Sequence, residues 1–151
     1  MEKLALITGA NKGIGLATVE NLLKNHQDTF IILSARDSSR GKEAVTALIS
    51  KESSWKDRLF FMEMDVSSDA SVNNASQQMM SKFNPENQPL AGLINNAGIG
   101  NSEIGMEATL EVNVWGIHRV CEAFIPLLDP QKGRIVNVTS AAGPNFVEVA
   151  D

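Results

Sequence analysis

The stretch that decides the fold runs from Thr8 to Gly15, TGANKGIG. Gly9, Gly13 and Gly15 fall within these eight residues, after the apolar run LALIT (Leu4–Thr8) and before an amphipathic one. A core needs no glycine there, and each glycine costs backbone entropy on folding. The stretch therefore reads as a tight turn between a buried strand and a helix. Something comes close enough to its backbone to exclude a Cβ. In an open parallel sheet, such a turn sets free N–H groups and a helix N-terminus against an anion, most often a nucleotide pyrophosphate. A plain glycine-rich strand-to-helix turn is the alternative reading of the same residues.

Outward from this turn, short apolar runs alternate with helical patterns. Ile14, Ala17, Thr18, Leu22 and Leu23 mark one face of a helix over 13–25. FIILSA (Phe30–Ala35) reads as a second strand, and Gly41–Glu52 as a helix with Val45, Leu48 and Ile49 at helical spacing. RLFFMEMDV (Arg58–Val66) reads as a third strand, and Ser68–Lys82 as a polar helix opened by Ser/Asp capping chemistry. LAGLINNAG (Leu90–Gly98) is a fourth strand and turn. Glu107–Leu128 is a long helix whose inner face carries Leu110, Val114, Ile117, Cys121 and Phe124, and RIVNVTS (Arg134–Ser140) is a fifth strand. Ser53–Asp57 and Asn84–Pro89 read as short linkers. Five successive strand–helix units imply an α/β fold: a doubly wound parallel sheet in three α/β/α layers. Strands that are apolar throughout imply burial on both faces.

Composition sets the outer limits. The 151 residues suffice for one domain, 1–151, and 43% hydrophobic with 21% charged residues is a globular profile. A net charge of −5 argues against nucleic acid or an anionic membrane as partner. The lone Cys121 excludes an internal disulfide and, among apolar neighbours, reads as structural. With no signal-peptide pattern in MEKLALITGA, the expected location is cytoplasmic.

Several polar residues stand where strands end. Asn95 and Asn96 close an apolar strand and need partners if buried; joining adjacent loops is a sufficient role. Asn113 interrupts an apolar stretch of the long helix and reads as a support for water or backbone. Ser140 follows β-branched residues and, alone, is equally a strand terminator. At the end of the second strand, SARD sets Arg36 beside Asp37. A cation there suits a ribose 2′-phosphate and an acid suits a 2′-hydroxyl, so this pair leaves the choice open. Lys12, inside the glycine turn, tips the balance: two cations converging on one dianion favour NADP(H) over NAD.

These residues together resemble the short-chain dehydrogenase/reductase family. The resemblance rests on T-G-x-x-x-G-x-G over 8–15, Asp65-Val66 after strand three, NNAG over 95–98, NVWG over 113–116 and Ser140 at the end of strand five. GANKGIGLA, SARD and GRIVNVTS look most like its NADPH-dependent carbonyl reductases. The resemblance implies a Rossmann-type fold and hydride transfer between NADPH and a ketone, aldehyde or quinone. It implies that Gly9, Asn11, Lys12, Gly13, Ile14, Gly15, Arg36, Asp65, Val66, Asn95, Ala97 and Gly98 bind cofactor, with no metal. It also implies that Ser140 orients the substrate carbonyl and that Asn113 serves the proton relay.

The family's proton donor is a tyrosine followed four residues later by lysine, and this chain contains no tyrosine. Against the family's spacing, that tyrosine falls beyond Asp151, which lies eleven residues after Ser140. The expectation is therefore the cofactor-binding part of a longer reductase, with an NADP(H)-binding module or fragment without chemistry as the alternative. His118 offers no substitute acid: five residues after Asn113, it lies about 140° away around the helix. Strand five is expected to lie outermost beside strand four. Ile135, Val136 and Val138 then form an unblunted edge through which copies of the chain associate.

Overall fold

A computed structural model describes residues 3–83, 90–100 and 105–140. Five parallel strands form one sheet: β1 (Lys3–Ile7), β2 (Thr29–Ala35), β3 (Leu59–Glu63), β4 (Leu90–Asn95) and β5 (Arg134–Asn137), in the spatial order β3-β2-β1-β4-β5. The chain winds outward from β1 to β3, then crosses back to place β4 on the other side of β1. The strand order therefore reverses between β1 and β4, where loops diverge and leave a crevice at the carboxyl ends.

Helices cover both faces. α1 (Gly13–Asn25) and α2 (Ser38–Lys51) enclose one core with Val19, Leu23, Ile31, Leu33 and Leu48. α3 (Asp69–Lys82) and α5 (Gly116–Phe124) enclose the other with Leu6, Ile32, Met62, Met79, Leu93 and Phe124. The alternation of faces along β1 divides Ala5 and Ile7 from Leu4 and Leu6. The doubly wound three-layer reading thus holds.

Several local expectations do not. On α1 the buried residues are Gly15, Val19 and Leu23, while Ile14 is 67% exposed. Ile14 instead lines the crevice at the carboxyl ends of the strands. α2 begins at Ser38, because the Asp37 carboxylate accepts the Arg40 N–H and caps it. The Ser53–Asp57 linker is a 3₁₀ turn that buries Trp55. Strand three ends at Glu63, which leaves Asp65 and Val66 in the following loop. Arg58, just outside it, donates to the carbonyls of Leu23, His26 and Thr29 and closes the carboxyl end of α1. The expected linker at 84–89 lies outside the described residues.

The largest departure is in the expected long helix. α4 (Met106–Leu110) runs into a π-helical turn (Glu111–Trp115), then α5, then a 3₁₀ turn at Ile125–Leu127. A π turn inserts about one residue and rotates the following face by about 100°. The inward residues are therefore Gly116, Val120 and Phe124, whereas Leu110 and Val114 are exposed. β5 departs too: it ends at Asn137, three residues before Ser140, and is exposed along its whole length. It pairs only with β4 among the described residues, and its apolar side chains are not buried on both faces as expected.

Candidate functional site

The loops at the carboxyl ends of β1, β2, β3 and β4 enclose a cleft of about 380 Å³. The β1 loop is built first. Gly9 has φ +62°, and a Cβ there would stand 2.7 Å from the Ala97 Cα. Glycine is therefore required twice, for conformation and for the approach of the β4 loop. Gly15 packs the same way: a Cβ would collide with the Asn96 side chain and approach the Ala10 Cα to 2.9 Å. Gly13 differs. Its φ is +58°, yet nothing lies within 4 Å of where a Cβ would point. Backbone is open to the cleft there. Lys12, the residue that caps α1, makes no side-chain capping bond, and the first turn carries no acid. The helix N-terminus thus offers N–H groups and a positive dipole end to an anion.

The β1 and β4 loops are one polar unit. The Thr8 hydroxyl oxygen accepts the N–H groups of Asn96 (3.0 Å) and Ala97 (2.9 Å). Asn96 Nδ2 donates back to the carbonyls of Thr8 (2.9 Å) and Gly9 (3.1 Å). The Ala10 N–H adds β2 by donating to the Ser34 carbonyl at 2.8 Å. Asn95 points elsewhere. Buried, its Nδ2 donates to Asn137 Oδ1 on β5 (2.9 Å) and to Cys121 Sγ (3.4 Å).

At the β2 end, Arg36 is exposed and lines the cleft with Lys12. Arg36 and Asp37, adjacent in sequence, do not pair with one another. Asp37 caps α2 and pairs with Arg40, whose Nε lies 3.5 Å away. Arg40 lines the cleft as a third cation. Sequence reasoning missed it because it is four residues past Arg36, inside a helix; the Asp37 cap was the available signal. At the β3 end, Asp65 Oδ1 accepts from Ser67 N (3.0 Å) and Ser67 Oγ (2.7 Å), which fixes the Asp65-Val66 loop.

The fourth side comes from the π turn. Asn113 spends both ends of its amide on Ile99: Oδ1 accepts the Ile99 N–H at 2.9 Å, and Nδ2 donates to the Ile99 carbonyl at 2.8 Å. This amide is bound to backbone, one of the two roles its sequence allowed. Ile99 and Val112 line the cleft, and neither was expected there. The cleft gathers Gly9, Asn11, Lys12, Gly13, Ile14, Arg36, Asp65, Val66, Ala97 and Gly98. Gly15 and Asn95 lie behind it as supports, Asn113 acts through Ile99, and Ser140 stands exposed beyond β5, outside the lining.

A larger hollow, about 740 Å³, lies at the opposite end of the sheet against Lys24, Lys51, Trp55 and Arg58. Of its two acids, Glu52 accepts the Ser54 N–H, and Glu20 is bonded by Lys24 and Lys51, which lower its pKa to about 2. Those charges satisfy one another, and no glycine turn or helix N-terminus opens there. Among the described residues no cluster of three or more potential metal ligands occurs, and no helix is long and apolar enough to cross a membrane.

Comparison with known proteins agrees with this geometry. The family model described as short chain dehydrogenase matches residues 3–150. Carbonyl reductase [NADPH] 1 of Rattus norvegicus is 35% identical over 145 residues, covering 91% of this chain and 49% of that protein. Among solved structures, menthone neomenthol reductase from Mentha piperita superposes with a TM-score of 0.81 at 29% identity, covering 93% of this chain and 61% of the other. An NADPH-bound carbonyl reductase from chicken fatty liver gives 0.76 at 27%, covering 95% and 61%. The chain thus spans about half the length of the curated relative.

Proposed function

Because the chain belongs to the short-chain dehydrogenase family, we propose that it binds NADP(H) in the cleft at the sheet switch point, as the cofactor-binding part of a carbonyl reductase. The observation that carries this reading is the convergence of Lys12, Arg36 and Arg40 on one cleft beside the open backbone of Gly13. A pyrophosphate fits against Gly13 and the first turn of α1, and a 2′-phosphate fits among the three cations. The Asp65-Val66 loop and the chain from Ala97 to Ile99, which line the same cleft, would hold the remainder of the nucleotide. The printed names of the rat relative and the chicken structure, both NADPH proteins, support the same cofactor.

When bound, NADPH supplies hydride to a carbonyl carbon. The contribution of this chain is to hold and orient it: Asn113 fixes the Ile99 segment, and Ser140 is the proposed donor to the carbonyl oxygen. The substrate class is a small ketone, aldehyde or quinone, and the proposed location is the cytoplasm, in keeping with a single cysteine. Fluorescence titration with NADPH tests the reading. Saturable binding that 2′,5′-ADP displaces supports it, and a folded chain that ignores NADPH overturns it.

The second reading, a binding module without chemistry, is favoured by the absence of tyrosine from the sequence. No general acid of the family type is present. The 151 residues are therefore expected to oxidise no NADPH above background with quinones or aldehydes. Turnover that depends on Ser140 would refute this.

The edge of β5 carries a further expectation. Ile135, Val136 and Val138 are exposed, with neither a proline nor an interior charge to block edge pairing. The chain is expected to associate with rising concentration, which light scattering reads directly. A scattering mass that stays monomeric at all concentrations would overturn it.

A further inference from the structure

Resting on the nucleotide-cleft reading above, we propose that Arg119 is a positioning residue that holds two walls of the cleft in register by bracing the π turn. Arg119 lies on α5, away from the cleft lining, with its side chain 21% exposed. Its Nε donates to Asp69 Oδ1 in the first turn of α3, and its Nη2 to Glu111 Oε1 in the π turn. Its Nη1 faces two main-chain carbonyls at 3.5 Å, those of Val66 and Glu111. One rigid fork thus reaches the loop after β3, the start of α3 and the π turn together.

Each of those segments leads directly to the cleft. Val66 lines it. Glu111 precedes Val112, which lines it, and Asn113, which holds Ile99 against it. The two walls also touch where Gly116 follows the π turn: a Cβ on Gly116 would stand 2.9 Å from Val66 Cγ2. That close contact tolerates no slip, and the guanidinium is the polar tie beside it.

The π turn gives the fork a specific task. The Glu111 carbonyl accepts the Gly116 N–H across five residues, a geometry less favourable than the ordinary α-helical bond. Arg119 approaches the same carbonyl from the side. If the turn relaxed to α geometry, Val112 and Asn113 would rotate around the helix and the Asn113–Ile99 pair would be lost. Asp69 and Glu111 are 78% and 40% exposed, so the ion pairs alone add little stability. The effect of Arg119 is geometric.

The test uses the full chain with Arg119→Met and Arg119→Lys, read by amide hydrogen exchange and by NADPH titration. Arg119→Met is expected to speed exchange of the Ile99 and Gly116 N–H groups about tenfold while β1 and β2 amides stay protected. It is expected to raise the NADPH Kd by about tenfold, because Val66, Val112 and Ile99 are no longer held in register at the cleft. Arg119→Lys, with one compact ammonium, is expected to restore part of both. Unchanged exchange at Ile99 and Gly116 overturns the proposal, as does acceleration spread evenly over the sheet, which marks a merely structural residue. Should Arg119→Met fail to fold, the same comparison with Arg119→Lys decides. A wild-type chain that does not bind NADPH overturns the cofactor reading, and the exchange measurements still decide the brace.

Discussion

Replacing Lys12 and Arg36 together with alanine is expected to weaken NADPH binding by about 2–4 kcal/mol and to leave NADH binding nearly unchanged. The two nucleotides differ only in the 2′-phosphate, so only groups that meet this dianion separate them. Lys12 enters from the glycine turn and Arg36 from the end of β2. Arg40 sharpens the expectation. Arg40→Ala leaves Asp37 Oδ1 bonded to the residue-40 N–H but takes the counter-charge from Asp37 Oδ2 at the mouth of the cleft. That variant is expected to lose more NADPH affinity than the loss of one cation alone would cost, because it adds repulsion to the loss of attraction. Calorimetry with both nucleotides decides. Equal losses for NADPH and NADH would remove the phosphate assignment.

The second large effect is expected at Gly9. Gly9→Ala must take up φ near +62° and push a methyl group to 2.7 Å from the Ala97 Cα. The conformation costs about 1–2 kcal/mol, and crowding against backbone about 1–3 more. The sum is a large part of the stability of an ordinary domain. Gly13→Ala is the internal control. It shares the positive φ but meets nothing within 4 Å. It is expected to cost only the conformational part and instead to obstruct the proposed phosphate site. Urea unfolding of the two variants, beside NADPH titration, separates the roles. Gly9→Ala is expected to lower the midpoint far more than Gly13→Ala, and Gly13→Ala to impair binding out of proportion to its stability loss. Equal midpoints would show that Ala97 yields.

Much of this architecture was legible because the relevant signals are local. The apolar runs are short and bounded, the glycines stand together, and Lys12 and Arg36 lie within a few residues of strand ends. What escaped depends on geometry that a regular period hides. On the helix after residue 106, Phe124 and Cys121 face the core as the 3.6-residue repeat predicts, but Leu110 and Val114 do not, because the π turn at Glu111–Trp115 shifts the phase between the two parts. Arg40 escaped because a cap, not a strand end, brings it to the cleft. The helical repeat places Ile14 on the apolar face of α1, yet it is exposed and lines the cleft, as the family resemblance implies. Asn113 was read as supporting water or backbone, and only coordinates assign its amide to Ile99.

The hydroxyl of Thr8 has a consequence for the order of events. It bonds to Asn96 and Ala97, residues 88 and 89 positions further along the chain. β1 and β2 can pair early, but the other edge of β1 waits for β4 to be synthesised. Closing so long a loop carries an entropic cost before any of these bonds form. The cleft is thus a late product of folding, absent from any intermediate that contains only the first three strands. Such an intermediate already carries Lys12, Gly13, Arg36 and Arg40, the residues proposed to meet the phosphates, but not the wall made by Ala97, Gly98 and Ile99. A nucleotide thus meets only part of its site there and the whole site once β4 has docked, so its stabilising effect is expected to be largest on the finished fold.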